Sequence, residues 1–223
     1  MGVADSGNQV ELADGLLDCG DRSILIESKA VWIREDKIES SPEEYIAFLR
    51  KKYGVSIAEG DRDRLRRKGV AQLANSIRSL VDGNWRPDPG TSIRDHVVPV
   101  LLVYDCLIDA PLHPWFLGRE FAMLLDPSID NWEGEPIRLG RFVISNLIVV
   151  TIDDLEALES STRNFGLSEL LGDYSSAFPD RMNSLHNYIV GERKYGDQII
   201  YSERIRKQFS AELRSLGRKA GLD

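Results

Sequence analysis

The sequence predicts an α/β protein in which a mixed central β-sheet is flanked by helices and followed by a helical C-terminal extension. An apolar hairpin near the start, a buried strand in the middle and amphipathic helices around them predict this class. The 223 residues suffice for one domain with a sizeable core. We expect a flexible tail over 1–7, an α/β core over 8–152 and a helical extension over 153–223 that packs on the same domain.

The first predicted elements are two strands within 8–17 and 22–33, joined by a tight turn at Asp18-Cys19-Gly20-Asp21. Both faces of both strands carry apolar side chains, so we expect both strands inside the sheet, covered on each side.

Helices and strands follow in alternation. Ser41-Pro42-Glu43-Glu44 predicts a helix start, and Gly54 ends that helix. A second helix is expected over 63–81, a buried strand over 97–104 despite Pro99, a helix over 116–125 and a strand over 146–152. An acidic helix start follows directly at 153–156, and the remainder is helical in character, with an apolar stripe over 205–216.

Composition excludes several functional classes. The 28 Lys and Arg against 36 Asp and Glu give a net charge of −8, which argues against binding nucleic acid by bulk charge but leaves a local basic face open. No apolar run reaches the ~18–20 residues of a membrane span, and the first residues do not form a secretory signal. The two cysteines cannot form a disulfide scaffold. We therefore expect a reduced, cytoplasmic protein with no membrane partner.

Three charged residues interrupt the apolar hairpin. They are Asp14 in the first strand and Glu27 and Lys29 in the second. With Cys19 and Gly20 as the two loop residues, Asp14 lies opposite Leu25, and Glu27 is its diagonal neighbour on the same face, roughly 7–8 Å away at the backbone. Lys29 shares that face by two-residue alternation. Converging carboxylates repel each other, and a hard divalent cation such as Mg²⁺ or Mn²⁺ relieves the repulsion.

At these residues the sequence resembles the PD-(D/E)XK nuclease superfamily, which has the restriction-endonuclease-like fold. Its signature is an acidic residue on one core strand and a (D/E)-x-K tripeptide on the next. Asp14 matches the first position and Glu27-Ser28-Lys29 the second, with twelve residues between Asp14 and Glu27. A helix and a strand normally precede the first position in that family, whereas thirteen residues precede Asp14 here.

The resemblance implies Mg²⁺-dependent (or Mn²⁺-dependent) hydrolysis of phosphodiester bonds. Asp14, Glu27 and the Ser28 carbonyl would be the metal ligands, Lys29 the catalytic lysine, and Gln72 matches a glutamine that many members carry near the site. The alternative for the same charges is a buried ion pair that serves only the fold.

A basic segment precedes Gln72 and offers a local contact for nucleic acid. Five of the seven residues over 62–68 are basic, and Arg66, Arg67 and Lys68 are the candidate nucleic-acid ligands; a solvated helix start is the equal alternative.

The predicted function is a metal-dependent nuclease acting on DNA. The main alternative is a catalytically silent restriction-endonuclease-like domain that binds or assembles. Cleavage of RNA, a homodimer and a larger complex all remain open.

Overall fold

The computed structural model describes residues 2–3, 9–10, 13–30, 33, 35–54, 69–85, 92–105, 108, 112–161, 166–181 and 184–192. Its strands are β1 (Gly2–Val3), β2 (Gln9–Val10), β3 (Gly15–Asp18), β4 (Ser23–Lys29), β5 (His96–Val103), β6 (Ile137–Leu139), β7 (Phe142–Ile144) and β8 (Ile148–Thr151). Its helices are α1 (Glu35–Ile38), α2 (Pro42–Lys52), α3 (Val70–Val81), α4 (Leu112–Leu125), α5 (Ile152–Ser161), α6 (Leu167–Arg181) and α7 (Leu185–Gly191).

Six of these strands form one mixed sheet in the order β3-β4-β5-β7-β6, and β8 also pairs with β5. The pairs β4–β5, β5–β7 and β5–β8 are parallel, whereas β3–β4 and β6–β7 are antiparallel. The predicted α/β class and the mixed sheet flanked by helices are therefore confirmed. The hairpin β6–β7, the short pair β1–β2 (which includes Gly2–Val3 of the predicted tail) and helix α1 were not predicted.

The predicted hairpin is confirmed as β3–β4, but its turn lies one residue further along the chain. The Cys19 N–H donates to the Arg22 carbonyl at 2.9 Å, so the two loop residues are Gly20 and Asp21, with Gly20 at φ 85°. The register therefore pairs Leu25 with Leu16, not with Asp14. The cross-strand partner of each residue moves by two positions along the chain. Each side chain therefore stays on the face of the sheet that was predicted for it.

The two strands of this hairpin differ in burial. Ser23, Ile24 and Leu25 of β4 are buried on both faces, as predicted. Strand β3 lies at one edge of the described sheet and Leu17 is 42% exposed, so the prediction of an interior position is wrong for β3. With four residues, β3 offers little surface on which helices could pack.

Strand β5 is central although it contains Pro99. Its neighbour on one side changes from β7, which pairs at His96 and Val97, to β8, which pairs from Val100. The Ser145 N–H donates to the Val97 carbonyl, so alternate residues from Val97 onward direct their backbone groups to that side. Pro99 is one of them, and its missing N–H falls where β7 has ended and β8 has not begun.

Helix starts follow the predicted signals. The Ser41 hydroxyl accepts a hydrogen bond from the Glu44 N–H at 3.3 Å and caps α2. Thr151 and Asp154 exchange capping bonds at the start of α5, where Asp154 Oδ2 accepts from the Thr151 N–H at 2.7 Å. Helix α4 begins at Leu112, before the predicted 116, because Pro114 lies in the first turn, where no N–H is needed.

The described part of the C-terminal extension contributes to the main core. Leu158, Leu170 and Leu185 belong to the same buried cluster as Ile24 and Leu101. The predicted helix over 205–216 lies outside the described residues. Within the described ranges, no helix is both long and apolar enough to cross a membrane.

Gly69, the N-cap residue of α3, lies against the end of α2 and tolerates no side chain. It has φ 67°, and a Cβ at this position would lie 2.4 Å from the Tyr53 carbonyl oxygen. That carbonyl accepts the first N–H of α3, from Val70, at 2.9 Å. The approach of the two backbones is therefore possible only with glycine.

Substitution of Gly69 tests this contact. Gly69→Ala should lower the free energy of unfolding by about 3 kcal/mol, because a left-handed alanine and a backbone overlap add together. Gly83→Ala is the matched control: φ there is 72°, but nothing lies within 4 Å of the new Cβ. It should cost only about 1 kcal/mol. Urea unfolding measures both, and equal losses would contradict the overlap.

His96 connects β5 to the segment between β7 and β8. Its Nε2 lies 2.7 Å from the Ser145 hydroxyl. Burial lowers the pKa of the His96 imidazole, and the charge of Arg22 lowers it further against the opposing charge of Asp21.

A histidine whose pKa is lower in the folded state destabilises the fold when it is protonated. The stability of the wild-type protein should therefore fall as the pH drops below about 6.5, the unperturbed histidine value. In His96→Gln, part of that fall should disappear. Urea unfolding at pH 5 to 8 measures the difference, and parallel curves for the two proteins would show that His96 does not contribute.

Candidate active site

Asp14 precedes β3 and holds the end of β4 through its carboxylate. Its Oδ2 accepts hydrogen bonds from the Ser28 N–H at 2.7 Å and from the Ser28 hydroxyl at 2.6 Å. Continuation of the β3–β4 register would pair Ser28 with Ala13. The Asp14 side chain therefore takes the place of a backbone partner just before β3 begins.

The Ser28 carbonyl, predicted as a metal ligand, lies on the same side of β4 as the Asp14 carboxylate. The N–H and C=O of one strand residue point to the same side, and the Ser28 N–H points to Asp14. Both Asp14 and Ser28 are exposed. This edge is therefore open to solvent.

Glu27 is buried, with 4% of its surface exposed, and binds the start of α3. Its Oε1 accepts a hydrogen bond from the Gly69 N–H at 3.0 Å, and Gly69 is the N-cap residue of α3. A helix N-terminus carries partial positive charge, so it favours a carboxylate at this position. This bond connects the sheet to the helix that carries Gln72.

The predicted triad is brought to one end of the sheet. Asp14 is level with Glu27 in the continued register, and Lys29, half-buried, ends β4 opposite Val103 of β5. Glu27 and Lys29 lie on one face by alternation. The predicted position of Asp14 opposite Leu25 is wrong, because the displaced turn pairs Leu25 with Leu16 and Asp14 lies before β3. The contacts of Asp14 are with Ser28.

Gln72 lies in the first turn of α3, three residues after Gly69, and is half-buried. Its carbonyl accepts a hydrogen bond from the Ser76 hydroxyl at 2.9 Å. This position is one turn from the bond between Gly69 and Glu27. The predicted nucleic-acid ligands Arg66, Arg67 and Lys68 lie outside the described residues.

A second polar group at this end of the sheet was not predicted. Asp105, 2% exposed, lies two residues beyond Val103, and its Oδ2 accepts a hydrogen bond from the Ile33 N–H. Burial raises the pKa of the Tyr53 hydroxyl, and the negative charge of Asp105 raises it further. The acid follows a buried strand at its carboxyl end, where α/β sheets bind ligands, and that position was the signal that could have identified it.

Tyr45 and His113 are two half-buried residues near Asp105. The Tyr45 hydroxyl lies 2.9 Å from His113 Nε2, and burial together with Asp105 raises the pKa of Tyr45. Tyr45 comes from α2 and His113 from α4, so only the fold brings them together. No sequence spacing signals the pair.

The candidate site offers oxygen atoms, which are the ligands that Mg²⁺ prefers. Among the described residues, no three acidic, histidine or cysteine side chains converge as a metal-binding group. Mg²⁺ is commonly held by one or two carboxylates, with water and substrate phosphates as the other ligands. Asp14, Glu27 and the Ser28 carbonyl supply oxygen ligands of that kind, so the residues fit such an ion.

Comparison of the chain with protein-family models, with curated proteins and with solved structures finds no match. The assignment of a function to this site therefore depends on its own residues and contacts.

Substitution of Glu27 separates its structural role from any other. Glu27→Ala should lower the free energy of unfolding by about 2–3 kcal/mol, because the buried Gly69 N–H loses its acceptor. Glu27→Gln keeps an acceptor oxygen and should cost about 1 kcal/mol or less. Asp95→Asn removes an exposed carboxylate at the other end of β5 and should change stability by less than about 0.5 kcal/mol. Urea unfolding measures all three, and wild-type stability of Glu27→Ala would contradict the anchoring role.

Proposed function

We propose that this protein is a divalent-metal-dependent nuclease of the restriction-endonuclease-like class, with DNA as its favoured substrate. The observation that carries the proposal is the contact between Asp14 and Ser28, the middle residue of Glu27-Ser28-Lys29. It joins an acidic residue just before one strand to an E-x-K tripeptide on the next, at an open edge of the sheet.

Each residue has a distinct role in this proposal. The Asp14 and Glu27 carboxylates and the Ser28 carbonyl would hold the cation, which when bound would lower the pKa of its water and neutralise charge on the phosphoryl group. The Lys29 ammonium donates hydrogen bonds to the phosphoryl oxygens as negative charge develops on them. Gln72, with an amide that both donates and accepts, orients the attacking water or the phosphate.

A second candidate function is a catalytically silent binding or assembly module with the same fold. It is favoured by the existing partners of the carboxylates: Glu27 binds the start of α3 and Asp14 binds Ser28. Both acids can thus be explained by the fold alone.

Metal binding and cleavage distinguish the two functions. Calorimetry with Mn²⁺ should detect binding in the wild-type protein and a loss of affinity of at least about tenfold in Asp14→Asn and Glu27→Gln, because each removes a charged ligand. Lys29→Gln should bind Mn²⁺ normally yet cleave roughly 100-fold more slowly, since its ammonium acts on the phosphoryl charge.

Asp95→Asn is the matched control and should match the wild type in both assays, because Asp95 is exposed and lies at the opposite end of β5. Cleavage of single-stranded DNA, duplex DNA and RNA is measured side by side. Absence of Mn²⁺ binding in the wild-type protein would refute the nuclease and leave the silent module. Preferential cleavage of RNA would correct the substrate.

A further inference from the structure

A seam of aromatic and cationic side chains lies where α2 and α4 meet, outside the triad. The two helices are joined by the Tyr45–His113 contact at 2.9 Å and by an ion pair between Arg50 and Glu120 at 2.6 Å. Along this junction three rings each carry a cation over one face. These pairs, which we call the aromatic–cationic seam, are Phe48 with Lys52 (5.8 Å), Phe116 with Arg50 (5.9 Å) and Trp115 with Arg119 (5.8 Å).

The rings of the seam reach the protein surface. Phe48, Trp115 and Phe116 are half-buried, so each ring packs on the core and keeps part of its surface outside. Lys52 is exposed, and the Arg50 side chain is 46% exposed. The cation-to-ring distances are close to the outer limit of about 6 Å for a cation–π contact, so a stacking group can replace the cation with little loss.

The charge of the seam is opposite to that of the whole protein. The last turn of α2 is Arg50, Lys51 and Lys52, and Arg119 adds a fourth cation from α4. The neighbouring acid is Glu120, which is paired with Arg50. The acids of α2 itself are in its first turn, at the other end of the helix. On a chain of net charge −8, this is a local cationic face.

The cationic end of the seam adjoins the candidate active site. Tyr53 follows Lys52 as the C-cap of α2, and its carbonyl accepts the Val70 N–H at 2.9 Å. Gly69, the residue before Val70, binds Glu27. A chain lying along the seam therefore runs toward the end of β4.

We propose that the aromatic–cationic seam binds a single-stranded segment of nucleic acid and directs it to the candidate active site. Bases stack on the three rings, while the displaced cations contact phosphates. A single strand fits because its base faces are available for stacking, whereas those of a duplex are covered by their neighbours. The choice of nucleic acid as ligand rests on the proposed function.

Fluorescence anisotropy in EDTA tests the seam without any metal. The probes are an oligothymidylate and an oligouridylate of about 16 nucleotides, and a DNA duplex of equal length. Wild-type protein should bind a single strand at least about tenfold more tightly than the duplex. The double variant Lys52→Ala/Arg119→Ala should lose about tenfold in affinity, and its slope of log K against log salt should become shallower by about 1.4, or about 0.7 for each phosphate contact.

Trp115 separates stacking from charge. Trp115→Leu should weaken binding by about tenfold, whereas Trp115→Phe keeps an aromatic face and should bind nearly as well as the wild type. Urea unfolding of both variants verifies that they fold equally. The control is Arg138→Ala/Arg141→Ala, which removes two exposed cations of the β6–β7 hairpin, one of them 4.8 Å from the Phe142 ring. It should leave the affinity unchanged.

Each outcome decides the proposal. Equal affinity for duplex and single strand, or wild-type affinity in Lys52→Ala/Arg119→Ala, overturns it. So does an equal loss in the hairpin control, since that would indicate diffuse attraction. The oligothymidylate and oligouridylate separate DNA from RNA. Binding in EDTA is measured without any cation and metal binding is measured by calorimetry without nucleic acid, so failure of the seam and failure of the metal site give different results.

Discussion

The architecture around the candidate site depends on one hydrogen bond, between the buried Glu27 carboxylate and the Gly69 N–H. A carboxylate inside a sheet is expensive to bury unless a compensating charge or dipole lies close to it. The N-terminus of α3 supplies that compensation and is thereby held against β4. Only glycine can occupy position 69, because its φ of 67° and its contact with Tyr53 leave no room for a side chain. This bond holds α3 against β4, and the hydrogen bonds from the Val70 and Ala71 N–H groups to the Tyr53 and Gly54 carbonyls hold the end of α2 against α3.

The same bond gives Glu27 two possible functions that do not exclude each other. One carboxylate oxygen serves the helix, and a carboxylate has a second oxygen with lone pairs of its own. A similar division holds for Asp14, whose Oδ2 completes the edge of β4. In the proposed nuclease, an acidic pair already held by the fold would need little reordering of side chains to take a cation.

Much of this arrangement could be predicted from local patterns. The apolar alternation predicts the hairpin that carries Glu27 and begins directly after Asp14, and each side chain of the paired strands stays on its predicted face although the turn is displaced. The register itself could not be predicted, because the turn is stabilised from far away: Arg94 binds both carboxylate oxygens of Asp18, at 2.9 and 3.0 Å. The bond between Glu27 and Gly69 was equally hidden, since 42 residues separate its partners.

Other features were missed for a different physical reason. Edge and interior strands carry similar apolar patterns, so the exposed position of β3 depends on which strands pair and not on its own residues. Asp105 follows a strand that was recognised, yet a single acid after a strand is also typical of an ordinary loop. The seam combines residues of two helices about 65 positions apart along the chain. Phe48–Lys52 and Trp115–Arg119 are neighbours at i,i+4 on one helix, but only tertiary packing brings Arg50 over Phe116 and the two helices together.

Pro99 divides one side of β5 between two partner strands. Because Pro99 has no N–H to donate on that side, β7 pairs with β5 before it and β8 after it, whereas β4 pairs without a break along the other side. The part of β5 that pairs with β8 lies at the end that holds Lys29, and the part that pairs with β7 carries the β6–β7 hairpin. The β6–β7 hairpin therefore pairs with a stretch of β5 that is separate from the stretch beside Lys29.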